Sequence, residues 1–292
     1  MGNTPKKVTA PAIAARKGGE RIAMVTAYDA PSASIASEAG IDIILVGDSV
    51  ANAMLGHDHT LAVDVDVMIH HTAAVARAKP HSLILGDLPW MSYHISTQEA
   101  VRNASRLIRE GGAEAVKLEG GASRLPVIEA IISAEIPVMA HIGLTPQSVH
   151  SMGGYKVQGR AVADAKEMIS DAIALADAGV FAMVLEGVPD TVAQVITKEV
   201  GVPTIGIGAG LHCDGQVLVW HDVLGLHDGH YAKFVRKYAD LRGQAIQALQ
   251  QYVADVRTET FPGEAETYHM TDEAAAALFE EEPRDLSWPL SW

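Results

Sequence analysis

The sequence has a single cysteine, Cys213, among its 292 residues. One cysteine excludes an intrachain disulfide and a metal cluster held by several thiolates, as expected for a reducing compartment. Long hydrophobic runs are also missing, because apolar runs such as residues 43–46 and 180–185 have the length of strands and not the about 20 residues of a membrane helix. The first 20 residues lack the apolar run of a secretory signal. We therefore expect a cytoplasmic protein without a membrane partner.

Basic residues are few, since 22 Lys and Arg stand against 36 Asp and Glu for a formal net charge of −14. The chain has no Lys/Arg-rich arm, so nucleic acid and anionic membranes are not expected partners. Residues 259–292 hold nine acidic residues and one basic residue, which is −8 of the net charge. We predict a solvated acidic tail there, with docking of Trp288 and Trp292 on a neighbouring subunit as the alternative.

Short apolar segments alternate with longer segments of helical periodicity, which is the pattern of βα units around a parallel sheet. Eight strands are predicted, at residues 21–27, 43–46, 82–86, 115–118, 137–141, 181–185, 203–208 and 216–219. Amphipathic segments predict helices at residues 31–38, 97–110, 161–178 and 190–199. The sequence STQE at 96–99 has the form of a capping box.

Eight strands with apolar cores in roughly 250 residues predict an α/β fold, a single (β/α)8 TIM barrel with a short acidic C-terminal extension. A doubly wound dinucleotide-binding sheet should have a glycine-rich turn after its first strand, but the sequence there is AYDAP at 27–31. We divide the chain into an amino-terminal segment at 1–20, the catalytic barrel at 21–258 and the tail at 259–292.

Ionisable residues follow or end five consecutive predicted strands, and in a barrel the carboxyl ends of the strands form the active face. In strand order they are Asp48, Asp87, Lys117 with Glu119, His141 and Glu186. Asp48, Asp87 and Glu119 would repel one another without a counter-ion. We therefore predict a shared Mg²⁺, a cation that prefers hard oxygen ligands.

Each of these residues also has a purely structural interpretation. An aspartate after a strand is most often a helix N-cap, a lysine near a strand end can extend its stem towards solvent, and His141 can be a hydrogen-bonded core histidine. Alternation along the strand places Lys117 and Glu119 on the same face, which favours a joint role. The functional hypothesis depends on the convergence of all these residues at one rim.

Several longer motifs carry more specific information: VTAYD at 25–29, LVGDS at 45–49, GHD at 56–58, HTAAV at 71–75, DLP at 87–89, VKLEGG at 116–121, HIGLTPQS at 141–148, GGYKVQGR at 153–160 and IGIGAG at 205–210. With these motifs the chain resembles the ketopantoate hydroxymethyltransferases, also called 3-methyl-2-oxobutanoate hydroxymethyltransferases. The likeness runs from about residue 8 to about residue 270. The acidic tail has no counterpart in the family pattern.

The resemblance implies a Mg²⁺-dependent transferase that moves a hydroxymethyl group from 5,10-methylenetetrahydrofolate to 3-methyl-2-oxobutanoate through an enolate. The product would be ketopantoate, a precursor of pantothenate and coenzyme A. The implied site comprises Asp48, Asp87 and Glu119 as metal ligands, Asp48, Ser49, Asp87 and Lys117 as substrate contacts, His141 in a supporting role in the substrate pocket, and Glu186 as the proton acceptor. The resemblance also implies a homo-oligomer, typically a decamer.

Two other functions remain as alternatives. A Mg²⁺-dependent lyase or mutase of the phosphoenolpyruvate mutase/isocitrate lyase type would also need clustered carboxylates, but it should present a cysteine in a loop such as KKCGH, which this chain lacks. A catalytically silent oligomeric scaffold would have no need of Asp48, Asp87, Lys117, Glu119 and Glu186 together.

Overall fold

The computed structural model describes residues 6–280, which fall into two compact units that divide between residues 239 and 240. The first unit contains eight parallel strands that close into a barrel in sequential order. The strands are β1 Ile22–Thr26, β2 Ile43–Val46, β3 Leu83–Asp87, β4 Ala115–Glu119, β5 Val138–Gly143, β6 Ala182–Glu186, β7 Thr204–Ile207 and β8 Gly215–Leu218. The predicted (β/α)8 barrel and all eight strand positions are confirmed.

Ten helices of the first unit lie before, between and after the strands, and two lie in the second unit, counted over residues 6–280. They are α1 Ala10–Ala14, α2 Ala30–Glu38, α3 Val50–Ala53, α4 Val65–Arg77, α5 Thr97–Arg109, α6 Leu125–Ser133, α7 Val149–Met152, α8 Val162–Asp177, α9 Asp190–Glu199, α10 Trp220–Leu224, α11 Leu241–Arg257 and α12 Asp272–Glu280. The four predicted helices correspond to α2, α5, α8 and α9. None of the helices in this part of the chain is long and apolar enough to cross a membrane.

Helix starts follow local capping chemistry. Asp29 caps α2 by accepting the backbone N–H of Ser32 at 2.8 Å, and Ser96 caps α5 by accepting the N–H of Glu99 at 3.1 Å. The Ser96 half of the predicted capping box is therefore present. The predicted boundaries at residues 20 and 258 stay predictions, and Trp288 and Trp292 lie outside the described residues.

Side chains alternate along the strands between the barrel interior and the layer beneath the helices. On β2, Ile43 and Leu45 belong to the interior cluster, whereas Ile44 and Val46 belong to the outer cluster. The interior cluster also includes Ile13 of α1, which is fully buried. Apolar packing thus fills the lower and middle barrel.

Candidate active site

The alternation that fills the barrel also turns polar residues of β4 inward. Ala115 belongs to the interior cluster, while Val116 and Leu118 belong to the outer one. Lys117 and Glu119, at the carboxyl end of β4, share the parity of Ala115 and are buried. A lysine and a glutamate are therefore held inside the barrel, as their spacing predicts.

The neighbouring strands contribute further polar side chains to the barrel interior. The sheet register pairs Asp87 of β3 with Lys117, and pairs Glu119 with His141 of β5. Glu186 ends β6, beside the carboxyl end of β5. Parallel register thus places these side chains at one level of the barrel.

A cavity of about 110 Å³ opens at this level, and its lining includes all the predicted site residues: Asp48, Ser49, Asp87, Lys117, Glu119, His141 and Glu186. The predicted convergence at one rim is therefore present. The cavity is far smaller than the roughly 300–1,000 Å³ of pockets for drug-sized ligands, which favours a small substrate. A larger groove of about 800 Å³, lined by parts of β1, β7 and β8, contains none of these seven residues.

Lys117 is the ammonium at the centre of the carboxylates. Its Nζ lies 2.8 Å from Asp87 Oδ1 and 3.8 Å from Glu119 Oε1. Burial alone would lower the pKa of Lys117, but the charges of Asp87, Glu119 and Asp48 outweigh burial and raise it above its usual value. Lys117 is therefore protonated, and it supplies one positive charge to three buried acidic groups.

Each of the three carboxyl groups has one oxygen fixed by an N–H donor. The backbone N–H of Asp48 donates to Asp87 Oδ2 at 3.1 Å, Gln147 Nε2 donates to Asp48 Oδ2 at 2.9 Å, and the backbone N–H of Gln147 donates to Glu119 Oε2 at 3.0 Å. Asp87 Oδ1 is a buried oxygen without a hydrogen bond, because Lys117 lies close to it but outside hydrogen-bond geometry. These hydrogen bonds fix the orientation of each carboxyl group. The second oxygens, which take no part in these three hydrogen bonds, are Asp48 Oδ1, Asp87 Oδ1 and Glu119 Oε1.

The surroundings of the cluster disfavour the ionised form of two of its carboxyl groups. Burial raises the pKa of Asp48 well above its usual range, and the neighbouring charges of Asp87 and Glu119 raise it further. Burial also raises the pKa of Asp87, although Lys117 opposes that effect. A divalent cation would relieve both effects, because nearby positive charge favours the ionised carboxylate.

The donor set fits a hard divalent cation, since all three oxygens come from carboxyl groups and Asp87 Oδ1 is held only by its ion pair with Lys117. Over residues 6–280, however, no three His, Cys, Asp or Glu side chains are already gathered as a metal site. Lys117 stands among the carboxylates, so it would have to yield part of its contact with Asp87 or Glu119 to an ion. The ligand roles of Asp48, Asp87 and Glu119 stay predictions.

His141 connects the carboxylate cluster with Glu186. Its Nδ1 lies 3.3 Å from Glu119 Oε1, and its Nε2 lies 3.2 Å from Glu186 Oε2, at an angle outside that of a hydrogen bond. Burial and the charge of Lys117 lower the pKa of His141, but the two glutamates outweigh them and raise it to about 9. His141 Nδ1 also lies 3.3 Å from Lys117 Nζ, so the imidazole ring stands between the lysine, Glu119 and Glu186. The side chain of Glu186 is 16% exposed.

Ser49 lines the cavity directly after Asp48, beyond the end of β2. Its Oγ lies 2.9 Å from the hydroxyl of Tyr28, which is buried beside β1. The backbone carbonyl of Tyr28 lies 2.8 Å from His71 Nδ1 on α4.

Asp48 is not the N-cap of α3, because that position is taken by Ser49. The structural interpretation of Asp48 as a cap is therefore wrong.

Two buried residues of the site, Gln147 and Tyr93, were not predicted from the sequence. Gln147 lies in a 3₁₀ turn after β5, and Tyr93 lies in the loop between β3 and α5. Their hydroxyl and amide groups are joined by a 2.6 Å hydrogen bond. Two signals were available: both residues lie in loops at the carboxyl ends of strands, and Gln147 belongs to the motif HIGLTPQS at 141–148. Nothing in the local sequence marks either residue as buried.

Comparison with known proteins identifies the relatives of this chain. The sequence model of the family described as ketopantoate hydroxymethyltransferase matches residues 7–264. A 3-methyl-2-oxobutanoate hydroxymethyltransferase of Koribacter versatilis is 52% identical over 278 residues, which is 95% of this chain and 94% of that protein. One of Moorella thermoacetica is 54% identical over 263 residues, 90% of this chain and 98% of that protein.

Solved structures with low sequence identity share the fold. A crystal structure of 2,3-dimethylmalate lyase, a PEP mutase/isocitrate lyase superfamily member, has a TM-score of 0.56 and 16% identity, and the match covers 94% of this chain and 96% of that one. A phosphonopyruvate hydrolase in complex with oxalate and Mg²⁺ has a TM-score of 0.57 and 14% identity, with 92% and 93% covered. At such low identity these structures support the barrel alone. The sequence matches go further, and by them the chain belongs to the ketopantoate hydroxymethyltransferase family of transferases.

Proposed function

We propose that this enzyme transfers a one-carbon unit from 5,10-methylenetetrahydrofolate to 3-methyl-2-oxobutanoate, with Mg²⁺ as cofactor. The product, ketopantoate, would enter the synthesis of pantothenate and coenzyme A. The observation that carries the proposal is the small cavity in which one lysine, one histidine and four carboxyl groups converge from five adjacent strand ends. Family membership selects the substrates.

The cavity offers separate groups to the carboxylate and to the keto oxygen of a small oxo acid. Lys117 is the fixed positive charge of the lining, and Ser49 adds a hydroxyl that can donate to an oxygen of the substrate. These two groups would hold the carboxylate of the oxo acid and so fix which face of C3 meets the folate. When bound, Mg²⁺ supplies positive charge that stabilises the negative charge developing on the keto oxygen.

In this proposal, Glu186 moves the proton. It ends β6, lines the cavity and is 16% exposed, whereas Asp87 and Glu119 contact Lys117 and the carboxyl group of Asp48 accepts from Gln147. Glu186 would take the proton from C3 of the oxo acid, and the electron pair left on that carbon attacks the methylene carbon of the folate. As this bond forms, one of the two C–N bonds of the methylene bridge breaks, and its nitrogen takes up the proton that Glu186 removed. Hydrolysis of the second C–N bond leaves the hydroxyl of water on the carbon and its proton on the nitrogen, so that tetrahydrofolate leaves.

His141 has a supporting part in this scheme. The imidazole ring lies between Glu119 and Glu186, 3.2 Å from Glu186 Oε2, so it would help to hold the base in position. No observation of the site favours the lyase or mutase alternative, because the likeness to those enzymes is one of fold.

An assay of the purified protein with 3-methyl-2-oxobutanoate, methylenetetrahydrofolate and Mg²⁺ tests the proposal. We expect ketopantoate to form, to stop after EDTA treatment, and to resume when Mg²⁺ is restored. Ketopantoate formed equally in treated and restored samples would reject the role of the metal. No ketopantoate in any sample would reject the activity itself.

A further inference from the structure

Gln147 makes contact with two of the three carboxyl groups at once. Its Nε2 donates to Asp48 Oδ2 at 2.9 Å, and its backbone N–H donates to Glu119 Oε2 at 3.0 Å. Asp48 follows β2 and Glu119 ends β4, so the two carboxyl groups reach this point from different strands. A single loop residue therefore fixes the orientation of both.

The orientation of the Gln147 amide is determined by its partners. The second hydrogen of Nε2 goes to the carbonyl oxygen of Leu88 at 3.0 Å, and a carbonyl can only accept. Oε1 must therefore face Tyr93, whose hydroxyl lies 2.6 Å away. The amide of Gln147 has no freedom to turn its oxygen towards Asp48.

Tyr93 is held in turn by the end of β4. The backbone N–H of Glu119 donates to the hydroxyl of Tyr93 at 3.2 Å. The hydroxyl hydrogen has two acceptors within reach, Gln147 Oε1 at 2.6 Å and the carbonyl oxygen of Glu119 at 3.3 Å, and the shorter contact is the one to Gln147. Tyr93 and Gln147 are 1% and 5% exposed. The chain of donors thus runs from Glu119 through Tyr93 and Gln147 to Asp48 and contains no ionised group between its ends.

We propose that Gln147, with its amide fixed by Tyr93, is a positioning residue that presents Asp48 and Glu119 to the divalent cation. This inference rests on the proposed metal site. Because one oxygen of each carboxyl group is held by Gln147, the other oxygen is left for the ion, and ordering the two ligands before binding increases affinity. Neither Gln147 nor Tyr93 touches the substrate in this account.

If Gln147 and Tyr93 only support the fold, a different result is expected. The same hydrogen bonds satisfy buried polar groups, and their loss would lower thermal stability whatever the cation does. Cation affinity of the folded protein separates the two roles, because a residue that only supports the fold leaves that affinity unchanged.

The test is a titration of metal-free protein with Mn²⁺, followed by electron paramagnetic resonance of the free ion. Gln147→Met removes both polar ends of the side chain at similar volume and keeps the backbone N–H on Glu119. We expect its Mn²⁺ dissociation constant to rise about 10–100-fold, as for other residues that orient metal ligands. The exposed Gln98 on α5 provides the matched control, Gln98→Met, which should bind Mn²⁺ like wild type.

Tyr93→Phe is the second variant and removes only the hydroxyl that fixes the amide. We expect an increase of the Mn²⁺ dissociation constant in the same direction but nearer the lower end of the range. In steady-state assays both variants should recover part of their turnover at high Mg²⁺, with KM for the oxo acid changed less than the Mg²⁺ requirement.

Wild-type Mn²⁺ affinity in folded Gln147→Met and Tyr93→Phe would overturn the inference and leave the proposed function intact. If wild type itself binds no Mn²⁺, the proposed metal site fails instead. A lower melting temperature with unchanged Mn²⁺ affinity would assign Gln147 a structural role and reject positioning.

Discussion

Lys117 Nζ and Asp87 Oδ1 lie 2.8 Å apart between register partners of adjacent strands, with side chains 4% and 1% exposed. The pair is buried within the barrel, so water compensates neither charge. The loss of one partner from such a pair leaves an uncompensated charge in the interior. The same lysine is the residue proposed to hold the carboxylate of the oxo acid.

Lys117→Met should therefore destabilise the metal-free protein by about 3–5 kcal/mol at neutral pH. Without the ammonium, the pKa values of Asp87 and Glu119 rise in the folded state. Acid groups with a raised pKa cost stability as the pH rises past the unfolded-state value, so the deficit should shrink in acid. Urea unfolding across pH measures it. A deficit that is small, or that grows in acid, would contradict the assigned charges.

Asp48→Ala and Asp87→Ala should each lower Mg²⁺-supported turnover by orders of magnitude, because each removes a predicted ligand from the cation. The exposed Asp177, at the end of α8, provides the control variant Asp177→Ala. Initial rates at saturating Mg²⁺ measure the effect. Near-normal rates in both site variants would remove the basis for the metal assignment.

Glu186→Gln should abolish exchange of the C3 hydrogen of 3-methyl-2-oxobutanoate with solvent, since an amide does not accept the proton. Binding of the oxo acid should change little, because Lys117 and Ser49 remain. Deuterium incorporation measured by NMR tests the exchange, and the exposed Glu199→Gln on α9 is the matched control. Continued exchange in Glu186→Gln would assign the proton to another residue.

The barrel and most of the polar residues that point into it were predictable from the sequence. They depend on the two-residue period of strands and on the position of a residue at a strand end. A two-residue alternation places Lys117 and Glu119 together, and strand ends share one rim, so Asp87 and Glu186 follow without coordinates. Gln147 was not predictable, since its burial results from how a loop folds over the barrel end and not from any periodic pattern. The homo-oligomer stays a prediction.

Asp214 provides a pH test at the other end of the barrel. Burial alone would raise the pKa of Asp214, but hydrogen bonds from the N–H of Thr204, from Lys17 Nζ and from the N–H of Gly18 outweigh burial and lower it. A carboxyl group with a lowered pKa stabilises the fold above its unfolded-state pKa, and this stability is lost as the pH falls through the folded-state value.

Asp214→Asn should therefore destabilise the protein by about 1–3 kcal/mol at neutral pH. The difference from wild type should narrow as the pH falls below about 4, the ordinary value of aspartate. Denaturant unfolding at several pH values measures this difference, and the exposed Asp177→Asn should unfold like wild type throughout. A difference that is independent of pH would show that the charge of Asp214 does not stabilise the fold.

Crystals grown with Mn²⁺ and 3-methyl-2-oxobutanoate test the central claim most directly, because anomalous scattering locates the ion. The account predicts one anomalous peak in the cavity, about 2.0–2.2 Å from carboxylate oxygens of Asp48 and Asp87, with the oxo acid beside Lys117 and its C3 facing Glu186. Glu119 should be the third carboxylate ligand of the ion. A bound oxo acid with no Mn²⁺ peak in the cavity, or a peak away from these carboxylates, would contradict it.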